Sequence, residues 1–460
     1  MDQRGSDSMN LPSRWKKIWQ QDKLFQTVVR NTSYLFSSTG ISLVLSMVQS
    51  IFAGRLLGAT QLGILGAITA FATTIKRLFS FRMGELIVKY LGEYLPEEKK
   101  QHAGAVVKAA FLVESISSIF AFLILALLAP IGAQFFAKDA STSPLFLFYG
   151  TMILGNLISE SSIGILQSTN RFHQQAIINI CQSILTASII IFAFFAQQGL
   201  TLVLLAYLIG KLILGIGPAV LALKALHTEL GPGWWKAPFS LLPPIKDLGR
   251  FAISTNLSAT LNLLFRDSEI LFVNFFLSPT QGGYYKIALA IINLIGIPIT
   301  PLISTTFPEI SRSVAAKSWK QLKHLLRNVT LLSGAWTFLA SIVLIFFGNW
   351  IILIYGVEYL PAHPALLILL IGYGIANTFF WNRPLLLAFN QPTTPFWVNL
   401  CVGLVKISLS FVLIPIFGFS GAAALLSAYL AISVLIMVWR GLWVINNAQK
   451  QTTLEGREIQ

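Results

Sequence analysis

The sequence predicts an all-α integral membrane protein of about twelve transmembrane helices, arranged as two parallel six-helix repeats. Three observations predict it. Of 460 residues, 55% are hydrophobic and only 11% charged, with a mean hydropathy of +0.71; a soluble domain carries about 25% charged residues. Apolar runs such as 200–226 and 325–347 reach the ~20 residues that cross a bilayer as a helix. Landmarks in the first half recur about 220 residues later. Backbone groups in lipid must pair internally, which leaves helices or closed barrels. The alternating ten-residue segments of a barrel are absent.

The spans are expected, in order, at 31–54, 61–82, 105–128, 144–167, 174–196, 200–224, 251–276, 283–306, 325–347, 364–388, 395–415 and 420–445. The first 30 residues are polar and basic, with no cleavage site after a short apolar run. Within them, Trp15, Ile18, Trp19 and Phe25 alternate with bases, the pattern of an interfacial amphipathic helix; a disordered basic tail is the alternative. Lys76 and Arg77 interrupt the second span. Gly215, Gly217 and Pro218 are expected to bend the sixth span, and the 296–301 stretch, with Pro298 and Pro301, the eighth. Residues 225–250, rich in Gly and Pro, form the expected linker between a lobe at 31–224 and a lobe at 251–445. A cytoplasmic tail follows at 446–460.

Charge sets the orientation. Twenty-four Lys and Arg residues fall before the first span, in the even-numbered loops and after the last span, against two (Arg55 and Lys138) in the other loops. The positive-inside rule puts the rich side, with both termini, in the cytoplasm. The net charge of +15 therefore belongs to topology and not to nucleic acid.

The repeat has a definite register. Arg30 meets Arg250, Thr60-Gln61 meets Thr280-Gln281, Gly63 meets Gly283, Asn170 meets Asn390, and Asn179-Ile180-Cys181 meets Asn399-Leu400-Cys401. Six spans per half is an even number, so the halves run in the same sense, about an axis along the membrane normal. Parallel repeats of this kind are a transporter signature, with substrate bound between halves.

Ionisable residues within spans are costly and mark function. The candidates are Lys76, Arg77, Lys211, Arg266, Lys286, Arg383 and Lys406 against Glu114, Glu160, Asp267 and Glu269. Seven bases against four acids exceed internal pairing and point to a cationic, substrate-binding aqueous cavity. Snorkelling to headgroups is the alternative for Lys76, Arg77, Arg383 and Lys286. Arg266 and Glu269 are three apart, on one helical face, and so are placed to pair. Glu160, Asp267 and Glu269 are the candidates for coupling to H⁺ or Na⁺. Cys181 and Cys401 read as small buried residues. No P-loop is present, the histidines lack metal spacing, and neither cofactor nor metal is expected. Amides (Asn156, Gln167, Asn170, Asn256, Asn262, Asn274, Asn377, Asn382) and aromatics (including Phe379, Phe380 and Trp381) thread the spans, a composition that suits a glycan and also an aromatic belt.

The run Arg55-Leu56-Leu57-Gly58-Ala59-Thr60-Gln61-Leu62-Gly63 resembles the first extracytoplasmic turn of polysaccharide-biosynthesis (Wzx-type) oligosaccharide flippases. Arg30-Asn31-Thr32, Asn170-Arg171-Phe172 and Phe307-Pro308-Glu309-Ile310-Ser311 are similar too, and the resemblance covers about residues 25–445. It implies membership of the multidrug/oligosaccharidyl-lipid/polysaccharide exporter superfamily, two six-helix lobes around a central cavity, and no enzymatic step. The cargo it implies is an undecaprenyl-diphosphate-linked oligosaccharide, moved across the inner membrane for O-antigen or exopolysaccharide synthesis. Membrane lipids, a polysaccharide polymerase and a chain-length regulator are the other expected partners, without nucleic acid. A lipid II flippase and a multidrug or cation antiporter share the superfamily. A membrane glycosyltransferase would need an outer catalytic loop; the outer loops are short and offer only Asp139 and Glu358 as carboxylates.

Overall fold

A computed structural model describes residues 23–81, 83–244, 248, 260–261 and 263–458. Trp15, Ile18, Trp19, Arg82, Lys246, Arg250, Asn256 and Asn262 lie outside the described residues. The described residues contain helices and no strand. In chain order they form α1 (Lys23–Leu78), α2 (Met83–Tyr94), α3 (Lys100–Gly132), α4 (Ser143–Gly150), α5 (Ser159–Ser168), α6 (Phe172–Phe195) and α7 (Leu200–Leu230). The second half adds α8 (Glu269–Phe276), α9 (Pro279–Asn293), α10 (Ile299–Ala315), α11 (Trp319–Leu353), α12 (His363–Thr378), α13 (Asn382–Ala388) and α14 (Thr393–Glu458).

Seven described helical segments are long and apolar enough to cross a membrane. These include two helical hairpins, and several other segments among the described residues are broken. α1 doubles back at Gly58 (φ 67°) and α14 at Gly418 (φ 63°); φ in this range favours glycine, which has no Cβ to clash. The reversal in α1 is visible in the packing. Ser42 and Gln49 of the first arm bond to Asn179 and Ser183 of α6, so these segments run side by side. On the second arm, Phe79 meets Phe120 of α3 and Phe71 meets Phe136 in the π turn at Ala133–Ala137 that follows it, so that arm runs against α3.

Other spans are broken. α1 gives way near Ser80 to α2, an amphipathic helix that lies beyond the expected end of the second span at 82. The α4–α5 span is interrupted by a 3₁₀ turn at Thr151–Asn156, and α12–α13 breaks at 379–381. The expected break in the eighth span lies between α9 and α10, where a 3₁₀ turn covers Leu294–Gly296. The sixth span runs helical through Gly215 and Pro218.

The repeat is written into the helix ends. α4 starts at Ser143 and α12 at His363, each with proline next, which suits a first turn where no N–H partner is needed. Asn170 (φ 55°) and Asn390 (φ 56°) follow α5 and α13 in the left-handed conformation. Around Asn170, Asn170 N–H donates to Gln167 O and Arg171 N–H to Leu166 O; around Asn390, Asn390 N–H donates to Leu387 O and Gln391 N–H to Leu386 O. All four bonds match at the 220-residue offset, and each pair is a Schellman closure of the final turn. Glu98 and Lys317 form a second such pair, at φ 56° and 50°.

The apolar core forks. One large cluster takes residues from both lobes, from Ala53 and Leu65 to Tyr285, Tyr359 and Leu426. Beyond it the core divides into a first-lobe cluster (Met83 to Leu226) and a second-lobe cluster (Ile299 to Ile445). The lobes therefore share a core at one end and stand apart at the other. Leu127, Phe195 and Phe346 are each 73% exposed, an apolar surface of the kind acyl chains cover. Cys181 and Cys401 are exposed as well, which corrects their reading as buried: in lipid the apolar thiol fits the outer surface as well as the core.

Candidate functional site

The closed end is built from equivalent pieces of the two lobes. Thr60 and Thr280 share a hydrogen bond of 2.8 Å. A Cβ on Gly63 would lie 1.7 Å from Pro279 O, and one on Gly283 2.0 Å from Ala59 O, so the backbones touch and only glycine fits. Asn274 Nδ2 donates to Gly63 O (3.1 Å) and Phe136 O (3.0 Å). Tyr359 OH donates to Gly54 O, Arg55 Nε to Ile354 O and Lys138 Nζ to Phe275 O, while Glu358 accepts from Ala59 N–H. The few charges at this end are thus spent joining lobes. Asp139 stays in its own loop, where the hydroxyl and N–H of Ser141 hold its carboxyl below the usual carboxylate range.

Below this seal lies a cavity of about 460 Å³, within the ~300–1,000 Å³ of small-molecule sites. Leu43 reaches it from the first lobe; Arg266, Asn293, Thr300, Tyr373, Asn377 and Asn382 supply its polar lining from the second. Arg266 is exposed, with its guanidinium 5.6 Å from the Tyr373 ring centre. A second cavity of about 470 Å³ lies in the first lobe between α2 and α5, lined by Gly84, Glu85, Val88, Glu160, Ile163, Gly164 and Gln167.

Arg77 and Asp267 link the lobes at half-exposed positions, Nη1 to Oδ2 at 2.5 Å, beside a Thr74–Ser268 hydroxyl contact of 3.4 Å. Lys76 and Lys211 lie within electrostatic range of Arg77, and Lys76 also of Glu160 and Glu114. Lys211 is exposed and Lys76 half-buried. Lys286 is half-buried over Gly66, between the lobes, and has no hydrogen-bond or ion-pair partner among the described residues. Arg383 is exposed on α13.

The carboxylates divide by role. Glu114 of α3 accepts the N–H groups of Glu160 (2.8 Å) and Ser161 (3.0 Å). The break before α5 bares helix N–H groups, and a carboxylate there satisfies them and complements the helix dipole. In the second lobe Ser333 and Thr330 of α11 bond Thr378 O and the Trp381 ring at the matching break. Glu160 accepts from Ser80 Oγ at 2.7 Å. Glu269 is 3% exposed and paired with Lys406, 5% exposed, which also bonds Phe265 O; Tyr285 OH donates to Glu269 as well. The expected Arg266–Glu269 pair is not formed. A π-helical turn spans Leu263–Asp267, and its extra residue per turn rotates Arg266 toward the cavity and leaves Glu269 facing the core. Lys406 and Glu269 line neither cavity. Among the described residues no three His, Cys, Asp or Glu side chains gather as a metal site.

Sequence reasoning did not single out Asn293 or Tyr373. The signal was present: Lys286, Asn293 and Thr300 recur every seven residues, as do Tyr373 and Phe380, with Asn377 between them, the spacing of one helical face.

The "Polysaccharide biosynthesis protein" family profile matches residues 28–314. Inner membrane protein YghQ of Escherichia coli is 25% identical over 348 residues, covering 75% of this chain and 98% of its own length. A MATE-family multidrug resistance transporter solved in an inward-facing conformation matches at TM-score 0.73 and 12% identity, over 89% of this chain and 96% of its own. A transporter from Pyrococcus furiosus, described as having a binding pocket of reversed polarity, matches at TM-score 0.64 and 11% identity, over 92% and 96%. At these identities the structural likenesses speak for the fold, which is that of MATE-type transporters, and the family match speaks for kinship: this chain belongs to the polysaccharide biosynthesis protein family.

Proposed function

We propose that this protein is a flippase that moves undecaprenyl-diphosphate-linked oligosaccharides across the cytoplasmic membrane by alternating access. The observation that carries the reading is the interlobe node: Arg77 held to Asp267, with Arg266 next along the chain turned into an amide-lined cavity. Two phosphate charges near the bilayer middle need fixed counter-charge. Guanidinium offers phosphate a bidentate fork where lysine offers a point charge. Asp267 holds Arg77 in place until a diphosphate competes for it. Lys76 and Lys211 extend the positive surface on the first lobe, and Lys286 waits below the seal. Lys406 and Arg383 contribute through lobe architecture and headgroup contact.

With the basic loops in the cytoplasm, the forked end of the core opens inward and the seal lies outside. Glu160 and Asp267 are the carboxylates available for H⁺ or Na⁺ coupling, since Glu269 is neutralised by Lys406. A multidrug antiporter shares the fold, but the Arg77–Arg266 face repels cations.

The test is complementation of a flippase-deficient strain. Arg77→Ala and Arg266→Ala should each abolish it, and Arg→Lys should restore part. Full function in the double alanine variant would end the reading.

A further inference from the structure

The second-lobe cavity is not lined as a phosphate site would be. Among its described lining residues Arg266 is the cation, no carboxylate joins it, and the remaining polar groups are three amides, the Thr300 hydroxyl and the phenol of Tyr373, with the ring of Phe380 beside them. An amide offers donor and acceptor together, the complement of neighbouring hydroxyls, and ring faces suit the C–H side of a sugar.

The amides are also incompletely used by the protein. One buried end of the Asn377 amide, assigned as Nδ2, has no partner; exchanging the two ends by a flip moves the deficit without curing it. Such a group in a folded protein calls for an explanation. The other end faces Gly296, 3.8 Å from where a Cβ would stand. Asn382 Nδ2 donates to Phe379 O at 2.7 Å, which fixes that amide and leaves its carbonyl oxygen to accept. The break at 379–381 makes this possible by turning Asn377, Phe380 and Asn382 into one space.

The scaffold does not require amides here. At the 220-residue offset, Asn293, Asn377 and Asn382 correspond to Thr73, Leu157 and Ser162, and Arg266 corresponds to Ser46. Thr73 and Ser162 bond their own helices, to Thr69 O and Ile158 O. The polar lining is thus a property of one lobe alone.

We propose that this cavity is the carbohydrate subsite: the glycan of a lipid-linked substrate enters the second lobe, where Asn293, Asn377 and Asn382 read its hydroxyl and acetamido groups. The diphosphate stays at the Arg77 node. The inference rests on the flippase reading and assigns specificity to residues that do not touch phosphate.

Two probes separate the claims, each titrated against the purified full-length protein: farnesyl diphosphate, and farnesyl diphosphate bearing one N-acetylhexosamine. The wild type should bind both, the conjugate more tightly by about tenfold to a hundredfold, the scale of one or two added hydrogen bonds. Asn377→Leu, close in volume, should erase that difference and leave farnesyl diphosphate affinity unchanged, whereas Arg77→Ala should weaken both probes. Asn293→Ala, on an exposed cavity wall, carries the same test if Asn377→Leu does not fold. If the wild type binds the two probes equally, or if folded asparagine variants keep the preference, the carbohydrate subsite is wrong while the anionic-lipid reading stands. If the wild type binds neither, the flippase reading itself falls and takes the subsite with it.

Discussion

Thr60 and Thr280 stand 220 residues apart and bond to each other, hydroxyl to hydroxyl, at 2.8 Å. Each is the other's counterpart in the repeat, so the contact lies on the axis that relates the lobes. This seam closes the end above the cavity, and the proposed alternating access requires it to part.

Locking the seam should stop transport. In a Thr60→Cys/Thr280→Cys variant the two thiols replace touching hydroxyls, close enough for the ~3.5–4.5 Å Cβ separation of a disulfide. Oxidation should reduce transport in vesicles by at least about tenfold and reductant should restore it. Unimpaired transport with the crosslink formed would show that the seam does not open.

Blocking the seam should do the opposite. Gly63→Leu puts side-chain atoms where Pro279 O now lies 1.7 Å from a mere Cβ. The variant should favour the state open at the sealed end, seen as increased labelling, by a membrane-impermeant thiol reagent from outside, of a cysteine placed at Ala59. Wild-type labelling would refute this.

The orientation has its own test. Reporters fused after Lys100 or at the C-terminus should read cytoplasmic, and one after Lys138 extracytoplasmic. Reversed readouts at two of the three sites would invert the assignment of the open end.

Glu114 and Glu160 should separate by assay. Glu114→Ala bares the N–H groups of Glu160 and Ser161 and should cost about 1–3 kcal/mol, measured by unfolding in detergent. Glu160→Gln keeps the shape and should reduce gradient-driven transport without lowering stability; unchanged transport would leave Glu160 a structural group.

The Lys406–Glu269 pair should respond as a buried ion pair. Removing either charge alone leaves the other stranded, at about 3–5 kcal/mol. The double variant Lys406→Met/Glu269→Gln should recover most of that loss. Additive losses in the double-mutant cycle would mean that the two groups are not coupled.

What the sequence disclosed follows from which signals are local. Spans come from apolar runs, and the 220-residue offset survives because helix ends need particular residues: Pro144 and Pro364 at first turns, Asn170 and Asn390 in the left-handed conformation. Charge pairing was hidden. The spacing of Arg266 and Glu269 forecasts a pair only on a regular helix, and the π turn at Leu263–Asp267 changes the phase. Lys406 finds Glu269 and Arg77 finds Asp267 across 137 and 190 residues, a separation no periodicity encodes. Asn293 and Tyr373 lay on a readable stripe, but a stripe does not say which side of a helix faces a void.

The pairing of Ala59, Thr60 and Gly63 with Pro279, Thr280 and Gly283 has the geometry of an isologous contact, in which one patch meets a copy of itself across a two-fold axis. Two identical six-helix chains would dock in this way. In a single polypeptide the two halves need not be identical, and away from this contact they are not: the Asn293, Asn377 and Asn382 amides line the second lobe alone. On the axis a bulkier residue at position 63 meets the backbone of its own counterpart segment, so a change in one half is felt at once by the other.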